Sequence, residues 1–506
     1  MDLKLKRYNK KISVLVVILM LLFVVQGCTS DIPSAKDEGL NKPGDVEAND
    51  QEKDISEDED NSSDDVDKME DEEGKDPENT VYISADRLNV REEPSPEGEK
   101  IGDLMKGSGV EILGEKTIEE DESKWFNISY PDGDQTIHGW ISAEFTVGDR
   151  TELLSDDLKA LDYSPQEKAE EYTGNPRVKT KGVYLTLYSA SGSRLDSLIE
   201  MTKNTDINAF VIDVKDDNGN MLFHTQAADK YAPKANESVP IKDIEALMKK
   251  LKENDIYTIA RIVTFKDPIY TEKHPERAIL DKRTGSAHKQ QDGLRWASAY
   301  DRELWAYDVE VAKEAARAGF NEIQFDYVRL PDSGGGKLDV HLDYRNVNNE
   351  SKPEVIQNFL KYAYGELSKE NVYVAADIYG LVGSVNDDMG LGQYWEGISN
   401  VVDYVSPMMY PSHYANNTYN LSVPDAFPYD TIYNSTKDAL MRNENVATPA
   451  TIKPWIQDFT ASWVKGHIKY GEKEVRDQIK ALEDLGIDEY LLWNSGNSYT
   501  EEALTK

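Results

Sequence analysis

Cysteine is almost absent from this 506-residue chain: Cys28 is the only one, so no internal disulfide can hold the fold together. Histidine is scarce too. The seven present form no H-E-x-x-H and no pair at helical spacing, which disfavours a zinc hydrolase and a metal-dependent polysaccharide deacetylase alike. No G-x-S-x-G elbow occurs, and "SGGGK" at 333–337 lacks the spacing and the trailing Ser or Thr of a phosphate loop. No internal repeat is evident. Basic residues are outnumbered, 57 against 95 acidic ones, for a net charge of −38. That balance excludes nucleic acid as a partner, since phosphate binding needs a basic face, but it leaves a wall polymer or a neutral sugar open. Nothing in the pattern calls for a metal or a cofactor.

What is present begins with a targeting segment. Lys4, Lys6, Arg7, Lys10 and Lys11 precede the apolar run "ISVLVVILMLLFVV", which ends in "VQGC". The run is short for a membrane span, so an uncleaved transmembrane anchor is the weaker reading. The segment resembles a bacterial lipoprotein signal over 1–27, which implies export and a lipid on Cys28 holding the protein to the membrane, facing the wall. Residues 28–80 read as an acidic linker. Between Asp31 and Thr80 there are 21 acidic residues against 5 lysines. Such a stretch has too little apolar surface to fold, and predicts a disordered tether able to reach on the order of 150 Å.

From 81 to 148 the chain breaks into short β-runs separated by Gly, Pro and Asp turns, the pattern of a small all-β barrel. "LNVREEPS", "KGSGVEIL", "WFNISY" and "GWISAEF" resemble a bacterial SH3 domain. The resemblance implies binding of cell-wall peptide or peptidoglycan, with Asn89, Arg91, Trp125 and Trp140 as groove residues. Core packing is the competing role for both tryptophans.

After a connecting segment at 149–175, strands alternate with amphipathic helices from 176 to 506. Eight strand candidates run from "GVYLTLYSA" to "EYLLWNSG", which predicts an α/β fold, a (β/α)₈ TIM barrel. An open doubly wound sheet is the alternative, but no Gly-rich turn follows the first strand. Active sites of such barrels lie at the C-terminal strand ends. Read strand by strand, those ends offer Asp213 and Lys215, which alternation places on one face; Arg261; Asp326, with Arg329 beyond it; Asp377; Tyr410 and His413; Trp455, Gln457 and Asp458; and Trp493. Ion pairing to Arg261 or Arg329 is the structural alternative for Asp326. "DVKDDNGN" reads as an Asx turn rather than a calcium loop. Aromatic faces stack on sugar rings, and paired carboxylates can serve as nucleophile and acid, so the set points to a sugar site.

"VKTKGVYLT", "FVIDVKDDNG", "ARIVTFKDP", "FDYVRLP", "VDYVSPMMYPSHY" and "PWIQDF" together resemble a bacterial family of TIM-barrel glycoside hydrolases of unassigned specificity. The resemblance implies a carbohydrate polymer as substrate, Asp326 as nucleophile at the end of the fourth strand, and Asp377 as acid/base on the fifth. The other strand-end residues would bind substrate. A non-catalytic glycan- or peptidoglycan-binding barrel is the rival expectation.

Overall fold

The computed structural model describes residues 79–505, apart from 86, 120–121 and 133–134. The expected signal segment, Cys28 and all but the last two residues of the acidic linker lie outside the described residues. The chain divides into two compact units, with the boundary at Ser155–Asp156.

The smaller unit is a seven-stranded antiparallel sheet running from Thr80–Ile83 to Thr146–Val147. Alternation in Arg87–Arg91 turns Leu88 and Val90 inward to join Ile83, Leu104, Val110, Ile128 and Ile141 in one core. Gly139 is required where it stands, because a Cβ there would come within 2.6 Å of Val90.

The larger unit is a closed barrel of eight parallel strands. They are β1 (Lys181–Leu185), β2 (Ala209–Lys215), β3 (Tyr257–Val263), β4 (Glu322–Asp326), β5 (Tyr373–Tyr379), β6 (Tyr404–Met408), β7 and β8 (Tyr490–Trp493). β7 comes in two pieces, Thr451–Ile452 and Trp455–Gln457, interrupted at Lys453–Pro454; proline has no N–H to give to a ladder. β8 pairs with β1 and closes the ring. The main crossover helices include α1 (Gly192–Asn204), α2 (Ile244–Lys252), α3 (Arg302–Ala318) and α4 (Lys352–Leu367).

The barrel wall separates two cores. Ile323 and Phe325 of β4 face the helices with the large outer cluster, while Val211, Ile259, Trp455 and Leu491 belong to a separate inner one. Gln324 and Asp326 point inward, as alternation predicts. The alternation ends there: Tyr327 has φ +51°, and Val328, expected on the Asp326 face, packs in the outer core instead. Deep inside, Lys453 Nζ donates to both oxygens of Glu322 at 2.9 and 2.7 Å, over the ring of Tyr404.

The connecting segment is divided between the units. From Asp156 on it belongs to the barrel unit, where it crosses the N-terminal ends of the strands. Lys168 Nζ donates to the carbonyls of Ser399, Val402 and Thr448 at 2.6–2.8 Å, and Arg177 lies over Tyr373 and Tyr404 while pairing with Asp403. This face of a barrel bears on stability, and the opposite one carries chemistry.

Candidate active site

At the C-terminal mouth the strands turn polar or aromatic side chains inward, β6 among them with Ser406, level with Asp377 and accepting from Gln324 at 3.2 Å, and Tyr410 follows from just past the end of β6. Arg261 of β3 is the hub. Its Nη1 donates to Asp213 of β2 at 2.6 Å; its Nε and Nη2 donate to Oδ2 of Asp326 at 3.0 and 2.6 Å; and Nη2 also reaches Asp217, on the loop after β2, at 3.2 Å. Tyr184 of β1 donates its hydroxyl to Asp213 at 2.6 Å. The Arg261 guanidinium lies 5.6 Å from the ring of Trp493, which stacks on Tyr184 at 4.0 Å.

A buried carboxylate is costly unless paired, and Asp326 is paired with Arg261, while Arg329 makes no ion pair with it. Its second oxygen accepts the N–H of Tyr327 at 2.5 Å. Tyr327 itself takes a left-handed conformation, uncommon for a bulky residue.

Asp377 is different. The pairing of Phe325 with Ala376 puts Asp326 and Asp377 at one height on neighbouring strands. The Asp377 carboxyl accepts the Trp455 indole N–H at 2.8 Å, and no ion pair reaches it among the described residues. Burial, together with the charge of Asp326, pushes it well above the usual carboxylate range, with Trp455 and Arg261 opposing. Asp213 is pushed up to about 6 by burial, against the pull of Arg261 and Tyr184. One guanidinium thus faces three contacting carboxylates with a fourth beside them, and a proton is held most readily where no cation touches.

Several expected site residues stand elsewhere, and each has a local cause. Lys215 is not on the face of Asp213. A β-bulge pairs Asp213 with Arg261 but Lys215 with the next residue, Ile262, so Lys215 turns outward. There it is fully buried against Asp267 at 2.9 Å and Asp308 of α3 at 2.5 Å. Arg329 sits among Trp296, Tyr327 and Tyr379, its guanidinium 4.7–5.2 Å from their rings. Asp458 accepts from the N–H and hydroxyl of Thr500 and fastens the C-terminal segment. Gln457 bridges rim loops, accepting from the Ser412 N–H and donating to Asp425 and to the Phe459 carbonyl. His413 is exposed at the rim, edge-on to Tyr410 at 5.1 Å. Asp213, Arg261, Asp326, Asp377, Tyr410, Trp455 and Trp493 do converge. Tyr184 and Asp217 join them unforeseen. Alternation along "GVYLTLY" places Tyr184 inward, whereas Asp217 comes from a loop that no periodicity describes. "DVKDDNGN" forms the expected Asx turn, with Asp216 accepting from the N–H groups of Asn218 and Asn220.

In the smaller unit Asn89 is exposed, and Arg91 and Trp140 are half-buried and paired across the sheet. Trp125 is buried and donates to Ser123, so it is a packing residue rather than part of an open groove.

Residues 182–499 match the family described as a putative glycosyl hydrolase domain. The chain belongs to this family. Residues 86–147 match the bacterial SH3 domain, so this glycosyl hydrolase carries an SH3 unit ahead of its barrel. Among solved structures, a hypothetical protein from Ruminiclostridium thermocellum is 31% identical over 41% of this chain and 98% of its own, with a TM-score of 0.34. The glycoside hydrolase domain of PgaB (BpsB) from Bordetella bronchiseptica is 13% identical over 64% of this chain and 99% of its own, with a TM-score of 0.45. The spore cortex-lytic enzyme SleL of Bacillus megaterium is 10% identical over 64% and 72%, with a TM-score of 0.38. No curated protein matches. The family assignment rests on the matched residues of this chain.

Proposed function

We propose that this glycosyl hydrolase cleaves the glycosidic bonds of a cell-surface or wall glycan with retention of configuration. The observation that carries the reading is the pair of carboxylates on neighbouring strand ends in unequal surroundings, Asp326 ion-paired and Asp377 without a cation. Adjacent strands lie about 4.8 Å apart, and retaining enzymes hold their two carboxyl groups about 5–5.5 Å apart. Asp326 attacks the anomeric carbon and forms a glycosyl ester as the leaving oxygen departs. Asp377 gives that oxygen its proton, then takes one from the water that hydrolyses the ester.

The test is to incubate the protein with a panel of wall and storage glycans, follow new reducing ends, and determine the product anomer. Retention is expected; an inverted product overturns the mechanism. Asp377→Asn should slow substrates with poor leaving groups by about 10²–10⁴-fold and spare activated aryl glycosides. Because the acid must carry its proton, wild-type activity should fall as pH rises through the raised value of Asp377. That limb should vanish in Asp377→Asn on an activated substrate; its persistence would assign it to another group.

A binding barrel without turnover is the second reading. It has one observation in its favour: Asp326 and Asp377 are only 6% and 1% exposed. The reducing-end assay separates the two.

Export and anchoring complete the proposal. Lipid on Cys28 would hold the protein at the membrane, the acidic linker would let it reach outward, and the SH3 unit would bind wall peptide. Cys28→Ser should release the protein from the membrane fraction or stall its processing, which a mass change toward the uncleaved, lipid-free chain would show. Unchanged membrane retention together with unchanged mass would remove the anchor from this account.

A further inference from the structure

Aromatic rings continue outward from the mouth. Trp493, stacked on Tyr184, lies 6.5 Å from Tyr410; Tyr410 meets Phe459 edge-on at 6.1 Å; and Phe459 runs near-parallel to Trp463, 6.0 Å away at 19°. Tyr410 is buried, Phe459 half-buried, and Trp463 is 44% exposed. An exposed tryptophan by itself is unremarkable on a surface. What sets this one apart is the loop beneath it, which is held firmly. Buried Asp425, from the loop after β6, accepts from the N–H of Ile468 and from Gln457, and its carbonyl accepts from the Tyr470 hydroxyl. Thr460 Oγ1 accepts the Tyr470 N–H, and Gln457 donates to the Phe459 carbonyl. Gly466, at φ +90°, closes the loop against Val423, which a Cβ would meet at 3.0 Å. The ring is therefore presented to solvent in a set place, at little further cost in ordering when something binds.

We propose that Phe459 and Trp463 form a platform for a glycan chain, contiguous with the candidate active site, so that the ligand is an uncharged polymer spanning several sugar units rather than a single sugar. Its position relative to bond cleavage rests on the hydrolase reading above. Flat aromatic faces suit the apolar faces of sugar rings. The carboxylates crowded around Arg261, and a chain of net charge −38, disfavour a polyanion.

Affinity electrophoresis of the full-length chain in native gels cast with glycol chitin, hydroxyethyl cellulose, galactomannan or, as the anionic arm, polygalacturonate tests this without requiring turnover. Retardation by at least one of the three uncharged polymers is expected, and Trp463→Ala should weaken it about five- to tenfold. Phe459→Ala should do likewise and Trp463→Tyr should largely restore it, all with unchanged melting. Truncating Trp463 touches no core, so this variant carries the test even if Phe459→Ala fails to fold. No retardation by any uncharged polymer, retardation equal in Trp463→Ala, or retardation by polygalacturonate alone each overturns the platform. A chain that binds but cleaves nothing removes the hydrolase mechanism and leaves the platform standing. An active enzyme whose KM for polymer is unmoved by Trp463→Ala removes the platform and leaves the mechanism.

Discussion

Asp326→Asn is expected to lower turnover at least about a thousandfold, the scale on which loss of a reacting group shows itself. An amide cannot form and release a glycosyl ester as a carboxylate does. The substitution preserves shape, and the Tyr327 N–H still finds an acceptor in the amide oxygen. Arg261 loses its two contacts with Oδ2 but keeps Asp213 at 2.6 Å and Asp217 at 3.2 Å, so the guanidinium is not stranded. Melting should accordingly change little. A second consequence follows from the neighbouring carboxyl. The charge of Asp326 is one of the causes holding Asp377 up, so removing it should let Asp377 titrate at lower pH. Rates on a confirmed glycan substrate, with melting curves as the folding control, check the first effect; carbon-detected titration of Asp377 checks the second. Near-wild-type turnover by Asp326→Asn would overturn the assignment of the nucleophile.

Lys215→Met should have the largest effect on stability, roughly 3–5 kcal/mol, the usual result of removing one member of a buried charge cluster. For a domain of this size that corresponds to a fall in Tm of about 4–7 °C. The ammonium is fully buried between Asp267 and Asp308, both fully buried themselves, and lies 4.8 Å from the ring of Tyr307. Without it two carboxylates face each other in an apolar layer. Asp267 has a further task, accepting the Tyr270 N–H at the start of the Pro268–Lys273 helix. Asp308 has one oxygen without a partner even in the intact cluster, and burial pushes it up to about 7 despite Lys215. The sign of the pH effect follows. The folded-state value lies above the ordinary 3.8, so the folded protein holds the extra proton. The stability this group contributes is complete below about pH 4 and is lost as pH rises toward 7. The deficit of Lys215→Met should therefore be larger at pH 8 than at pH 5, and Lys215→Met/Asp308→Asn should recover part of it. Melting curves at the two pH values measure both effects, and a uniform deficit would show that lost packing, rather than charge, is responsible.

By itself the sequence determined what depends on local period and composition. Alternation of apolar and polar residues along "NEIQFD" settles which side of β4 faces the helices, because successive side chains of a strand point opposite ways. Eight such strands with amphipathic helices between them, and no Gly-rich turn after the first, favour a closed parallel barrel over an open doubly wound sheet, and the barrel places Asp326, Asp377 and Arg261 at one mouth. Tyr184 was legible by the same rule. Tertiary structure decided whatever depends on an irregularity or on a partner distant in the chain. A single bulge in β2 carries Lys215 across the wall to Asp308, 93 residues away, although the pattern of "FVIDVKD" contains no sign of it. Arg329 and Asp458 satisfy themselves with three aromatic rings and with Thr500, so their polar character, which suggested a site, serves the fold. Trp125 and Trp463 carry the same side chain, one buried and one displayed. Only the surrounding packing, Ser123 beneath the first and the loop pinned by Asp425 beneath the second, distinguishes them, because burial is a property of the assembled neighbours and not of the residue.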